Sequence, residues 1–162
     1  VGIVDIGSGT TDISILHRLN LEPDSARTWR TGMVQALSVI QSTINATFDT
    51  AFSLSAIDQA VRRRAIRVAG HDRPLPPGWD APIISLAQTI VADLGQAWGS
   101  GKNLDRILLA GGGSAEEIIA ELIMRKYPHA VVVVDDPQHA IARGCARRAR
   151  MLVAQMAMER AA

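Results

Sequence analysis

Apolar residues recur along this chain in two rhythms. Val1 to Ile6 is a short, mostly β-branched run that predicts a buried strand. After a polar stretch, Asp12 to Leu16 resumes alternation, so the two segments predict a β-hairpin. Ser25 to Arg30 predicts a third strand, entered through a Pro23-Asp24 turn and broken by Gly32. From Met33 to Phe48 the rhythm changes. Val34, Leu37, Val39, Ile40, Ile44 and Phe48 recur at about three and four, which predicts a helix with Thr31 as its N-cap. A second helix is expected with Ser55 as its cap and Ile57 and Val61 on its apolar side. Ala65 to Ala69 alternates as a strand does, and His71 to Trp79, with Pro74, Pro76 and Pro77, reads as a loop. A third helix is expected from Asp80 or Ala81, with Pro82 in its first turn, to about Trp98. Gly99-Ser100-Gly101 ends it.

The remainder reads as a βαβα unit. Arg106 to Ala110 predicts a strand and Gly111-Gly112-Gly113 its turn. Ser114 is expected to cap a helix with Glu116 and Glu117 in its first turn, and Tyr127-Pro128 to stop it. Ala130 to Val134 predicts a strand buried on both faces. Asp135-Asp136-Pro137 then leads into a last helix from near Gln138 to about Met158. The tail from Met151 to Ala162 is expected to pack on its own domain, with partner or membrane binding as the alternative.

Composition narrows the class. The 162 residues are 48% apolar, enough for a substantial core. A net charge of +1 argues against disorder and against a chain drawn electrostatically onto nucleic acid. The single cysteine, Cys145, cannot form an internal disulfide, which fits a reducing, cytoplasmic setting, and it is expected to be a small core residue. No apolar run approaches the roughly 18 residues of a membrane span, and no direct membrane contact is expected. Val1 lies inside a strand-like run, so the chain is expected to be the C-terminal part of a longer protein. Arg62, Arg63, Arg64 and Arg67 form one basic cluster, and Arg143, Arg147, Arg148 and Arg150 another. Both are expected to be solvated helix faces. A filament contact or an adenine contact is the alternative for the first, and docking to an acidic partner or another lobe for the second. His17, His71, His129 and His139 lack metal-ligand spacing, and no Ser/His/Asp set is legible.

Two segments carry chemistry. In Asp5-Ile6-Gly7-Ser8-Gly9-Thr10-Thr11-Asp12 a carboxylate ends an apolar strand, glycines admit an anion close to backbone amides, and hydroxyls add donors. A carboxylate beside a phosphate cradle suits Mg²⁺, held through water. In Ile107-Leu108-Leu109-Ala110-Gly111-Gly112-Gly113-Ser114 a glycine turn joins a strand to a helix N-terminus, where a polar ligand can approach. It is not a G-x-G-x-x-G fingerprint, and no Walker A sequence occurs.

Together, and in this order, the two segments resemble the second phosphate loop and the adenosine loop of the actin-like ATPase superfamily, which includes actins, heat-shock chaperones and sugar kinases. Within it, Asp135-Asp136-Pro137-Gln138-His139-Ala140-Ile141-Ala142-Arg143-Gly144 is similar to the corresponding region of bacterial plasmid-segregation proteins of the ParM type. A similar Asp-Pro then Ala-Arg-Gly pattern occurs in MreB-like shape proteins. The resemblance implies an α/β fold: a ribonuclease H-like, mixed-sheet, C-terminal lobe with a small inserted helical subdomain. The larger subdomain would take 1–51 and 101–162, and the inserted one 52–100. It implies ATP or ADP as ligand, with Asp5 holding the water shell of Mg²⁺. Gly7, Ser8, Gly9, Thr10 and Thr11 would surround the β- and γ-phosphates, and Gly111, Gly112 and Gly113 would pass beneath ribose and adenine. Gly32 would bring backbone near the ribose. Asp12 would pair with a neighbour or orient water. No catalytic residue is assigned, because the first phosphate loop and the water-polarising residue belong to an N-terminal lobe that would precede Val1. Half a clamp implies weak ATP binding and negligible hydrolysis. The implied whole is a filament-forming ATPase that segregates plasmid DNA through an adaptor protein. The alternatives are a non-polymerising chaperone-like or kinase-like relative, an MreB-like shape protein, or a stand-alone interaction lobe.

Overall fold

The computed structural model describes residues 1–18 and 20–161, without the side chains of 160 and 161. Its central sheet begins with the expected hairpin, β1 (Gly2–Ile6) and β2 (Thr11–His17), paired antiparallel with Asp5 opposite Asp12. Two short strands, β3 (Asn20–Leu21) and β4 (Arg27–Trp29), both pair with β2, separated by a 3₁₀ turn at Pro23–Ser25. The expected third strand is therefore shorter than 25–30. Ser25 leaves the ladder because its hydroxyl accepts the Ile15 amide at 2.8 Å and donates to the Glu22 carbonyl.

On the other side of β1, β7 (Ile107–Ala110) and then β8 (Val131–Val133) pair in parallel, giving the order β3-β2-β1-β7-β8. Three helices pack together against this sheet: α1 (Met33–Phe48), α3 (Ala81–Trp98) and α4 (Glu117–Lys126). Alternation decides which strand residues they cover. Val4, Ile6, Ile13, Ile107 and Leu109 are buried beside Ile40, Ile44, Ile90 and Ile123, whereas Ile3 and Asp5 lie on the more open face. At Gly2 a Cβ would sit 3.0 Å from the Trp98 ring, so the glycine lets the helix close onto the strand.

Between α1 and α3 the chain forms α2 (Leu54–Arg63) and a two-stranded ribbon, β5 (Ala65–Val68) and β6 (His71–Pro74). The loop expected at 71–79 is thus a strand in its first half. Ala69 and Gly70 both take positive φ, the two-residue turn whose twist suits a hairpin, and Pro74 falls at the end of the ladder. Asn45 ties the connection down: its side-chain oxygen accepts the Phe52 amide at 2.8 Å. The helix α3 packs against α1 and α4, and α2 packs against α1 and β5.

Three expected caps shift. The α1 N-cap is Gly32, not Thr31, whose carbonyl instead accepts the Thr11 hydroxyl at 2.7 Å. The α2 cap is Ser53, accepting the Ala56 amide, not Ser55. Ser114 does not cap α4: it lies in a 3₁₀ turn, Gly112–Ala115, and its hydroxyl donates to the Ala110 carbonyl. The N-cap of α4 is Glu116.

The end of the chain departs furthest from expectation. β8 is an edge strand, so Val132 is 46% exposed rather than buried. After a 3₁₀ turn at Pro137–His139, α5 (Ala140–Ala161) leaves the body of the lobe, and every described residue from 141 to 159 is exposed. Cys145 is exposed with it, not a core residue. The tail does not pack on its own domain as far as the described residues extend, and 162 lies outside them.

Candidate functional site

β1 and β7 run parallel as neighbours, with Asp5 in register with Ala110. Both glycine segments therefore leave the sheet at the same end, where the carboxyl ends of parallel strands form a crevice. The β1–β2 hairpin closes with the Gly7 amide donating to the Thr10 carbonyl at 2.8 Å, and leaves Ser8 and Gly9 exposed at its tip. Nothing lies within 4 Å of where a Gly9 Cβ would be, so space remains beside this backbone.

The hairpin is fastened to α1. The amides of Met33 and Val34 donate to the carbonyls of Gly7 and Ser8, at 3.2 and 2.8 Å. A Cβ on Gly32 would stand 2.5 Å from the Ser8 oxygen, which makes Gly32 a close-packing glycine at the hairpin. The first amides of α1 are thus spent on the hairpin itself.

The second turn folds back over β1. Gly111 has φ +81, and its missing Cβ would collide with Asp5 Oδ1 and the Ile6 carbonyl. Gly113 is equally constrained against Ile6 Cγ2. The Gly111 amide donates to the Pro137 carbonyl at 2.8 Å, which draws the Asp135-Asp136-Pro137 segment to the turn. Asp136 is held there by His139 Nδ1 at 2.9 Å and Arg143 at 3.2 Å. The His139 contact, with Arg143 beside it, holds the Asp136 carboxyl below its ordinary range.

A cavity of about 380 Å³ brings Gly7 and Ser8 together with Gly112 and Gly113, closed by Met33, Leu37, Leu54, Ser55, Asp58, Arg62 and Gln138. An adjoining one of about 360 Å³ runs from Gly112 past Asp58, Arg62 and Arg64 to Glu116 and Glu117. Asp5 faces elsewhere. It opens with Asp12, Ser14, Arg27 and Thr28 onto the other side of the sheet, in a recess of about 430 Å³. Partial burial raises the Asp5 pKa, and the facing Asp12 carboxylate raises it further. Asp12 takes hydroxyl hydrogen bonds from Thr10 and Thr28. Thr11 is buried and spent on Thr31, as described above.

Among the described residues no group of three or more His, Cys, Asp or Glu side chains is placed to hold a metal ion. Asp5 touches Gly111 but lines the recess on the other side of the sheet, so it does not join Ser8, Gly112 and Arg62 in this cleft.

Sequence reading did not single out Met33, Leu37, Asp58, Glu116 or Gln138 for this cleft. One signal was available for α2: Leu54, Asp58 and Arg62 recur every four residues and so share a helix face, with Asp58 and Arg62 paired at 3.1 Å.

A mixed sheet with two glycine turns converging at the ends of adjacent parallel strands, and a helix fastened to the first, defines a lobe of the actin-like fold. The chain belongs to the family of archaeal actin homologues, MreB-like, whose C-terminal model matches residues 3–123. Solved structures carry the same fold. A non-polymerisable quadruple mutant of pCBH ParM superposes with TM-score 0.75 at 21% identity, over 93% of this chain and 46% of that one. The archaeal actin homologue Ta0583, in complex with ADP, gives 0.75 at 19%, over 91% and 49%. A ParM from a 15-stranded Clostridium botulinum filament gives 0.69 at 21%, over 86% and 42%. The chain thus spans just under half the length of these proteins. No curated protein sequence matches it.

Proposed function

We propose that this chain is the C-terminal nucleotide-binding lobe of an actin-like, filament-forming ATPase. The observation that carries the reading is the cavity where the Gly7-Ser8 hairpin meets the Gly112-Gly113 turn. ATP or ADP occupies this cleft in the proposal, its phosphates at the hairpin tip of Gly7, Ser8, Gly9 and Thr10, its nucleoside along Gly111, Gly112 and Gly113. Thr11 and Gly32 hold the hairpin to α1 rather than touching the ligand. Mg²⁺ would supply charge neutralisation at the phosphates, and Asp5, which touches Gly111 from the other side of the sheet, would reach it only through water. Arg62 adds a cation at the cleft wall. The smaller unit is α2 with the β5–β6 ribbon, about 52–80, and α3 belongs to the larger one.

An N-terminal lobe completes the site and supplies the residue that activates water. The ParM filament relative supports self-association into filaments, which in the proposal follows nucleotide binding. Plasmid DNA segregation through an adaptor is the role the ParM resemblance favours. The MreB-like family match favours a second reading, a cytoskeletal filament with no plasmid cargo.

Two measurements test this. Titration of the chain with a fluorescent ATP analogue and Mg²⁺ should show saturable binding that unlabelled ADP competes away. Pelleting of the two-lobed protein should depend on Mg²⁺–ATP and reverse on hydrolysis. A two-lobed protein that hydrolyses ATP and stays in the supernatant removes the filament from the proposal.

A further inference from the structure

Arg64 and Glu116 lie far apart in sequence and meet at the floor of the nucleoside end of the cleft. Arg64 Nη2 donates to Glu116 Oε1 at 2.7 Å and Nη1 to Oε2 at 3.3 Å, a two-pronged contact. The guanidinium also lies 4.7 Å over the Trp79 ring. Arg64 is the C-cap of α2, in left-handed backbone with φ 53, and its own amide donates back to α2 carbonyls. Glu116 is only 7% exposed. Its amide donates to the Gly113 carbonyl, and its carbonyl accepts the amides of Ile119 and Ala120. It therefore closes the glycine turn on one side and begins α4 on the other.

Among the described residues this is the one ion pair that joins the α2–β5–β6 unit to the rest of the lobe. Arg62–Asp58 and Arg63–Asp72 stay within the unit, and the remaining pairs lie in α4 or around Asp135 to Arg143.

We infer that Arg64 and Glu116 are positioning residues: together they lock the Gly111–Ala115 turn to the end of α2, so that the turn and the small unit move as one when nucleotide binds. The inference rests on the nucleotide-binding reading for its consequence, but the mechanical link stands on the geometry alone. Arginine is required because only a planar, forked cation can hold both carboxylate oxygens and stack on an indole at once. A buried carboxylate without its partner is costly, so the pair does not open freely. Losing it releases the turn rather than removing a ligand contact.

The test uses the 162-residue chain with Arg64→Lys, Glu116→Gln, and both together. The first readout is amide hydrogen exchange without ligand. Exchange at 111–116 should rise about tenfold in each single variant and no further in the double variant, while α3 stays protected. The second is affinity for the fluorescent ATP analogue with Mg²⁺, which should weaken about three- to tenfold in the same pattern. Turn exchange equal to the parent's, or a rise spread equally over α3, overturns the inference. So does additive weakening in the double variant. If the parent chain binds no analogue, the nucleotide-binding reading fails, and the exchange measurement still decides whether this pair holds the turn.

Discussion

Asp5 keeps its proton more readily than an isolated aspartate, because the sheet takes it partly out of water and Asp12 stands opposite it. The folded chain therefore binds this proton more tightly than the unfolded one. The ionised carboxylate costs the fold stability at neutral pH, and the cost disappears as pH falls through the raised pKa. Asp5→Asn should raise the melting temperature of the ligand-free chain at pH 7, with the gap closing on acidification to about pH 4. The same substitution should abolish the Mg²⁺ dependence of nucleotide affinity. A ligand-free melting temperature below the parent's at neutral pH would contradict the electrostatic account. Residues of one motif thus divide their duties: Thr11 fastens, Gly9 leaves room, and Asp5 holds a carboxylate at a cost in stability.

Helix ends show how far local pattern reaches. Ser53 and Ser55 are both plausible caps in the sequence, and only the geometry selects Ser53. Ser53→Ala should cost about 1 kcal/mol in urea unfolding. Ser55→Ala should stay within about 0.5 kcal/mol, since it loses no cap. The long elements were legible because their apolar spacing is strong: α1 runs over Met33–Phe48 and α3 over Ala81–Trp98, as the periodicity predicts. Both glycine turns were legible from composition between strand-like runs. What stayed hidden depended on partners remote in sequence. The β6 strand needs β5 to exist, Thr31 is claimed by Thr11, and Glu116 reads as a helix-dipole acid until Arg64 reaches it. The wall that α2 adds to the cleft was hidden for the same reason. Neighbouring residues specify an element; contacts across the fold decide which polar groups remain free for a ligand.

At the scale of the molecule, α5 contributes a surface and little else to the lobe. Ile141, Met151, Leu152, Val153, Met156 and Met158 are all exposed on it. Removing 145–162, which spares the Arg143 contacts to Asp135 and Asp136, should leave the unfolding free energy within about 0.5 kcal/mol of the parent's. A larger loss in chemical denaturation would mean that α5 does pack in solution.

The uncovered edge at β8 has a colloidal consequence. Its outer backbone groups face no further strand among the described residues, and Val131, Val132 and Val133 carry no charge to repel another copy. Such an edge is a template for unspecific strand pairing. Turbidity of this lobe at high concentration should then build up with or without nucleotide. Val132→Lys, at a position already 46% exposed, should clear the solution without changing nucleotide affinity. Only the sediment that survives this substitution and still answers to Mg²⁺–ATP counts as ordered polymer.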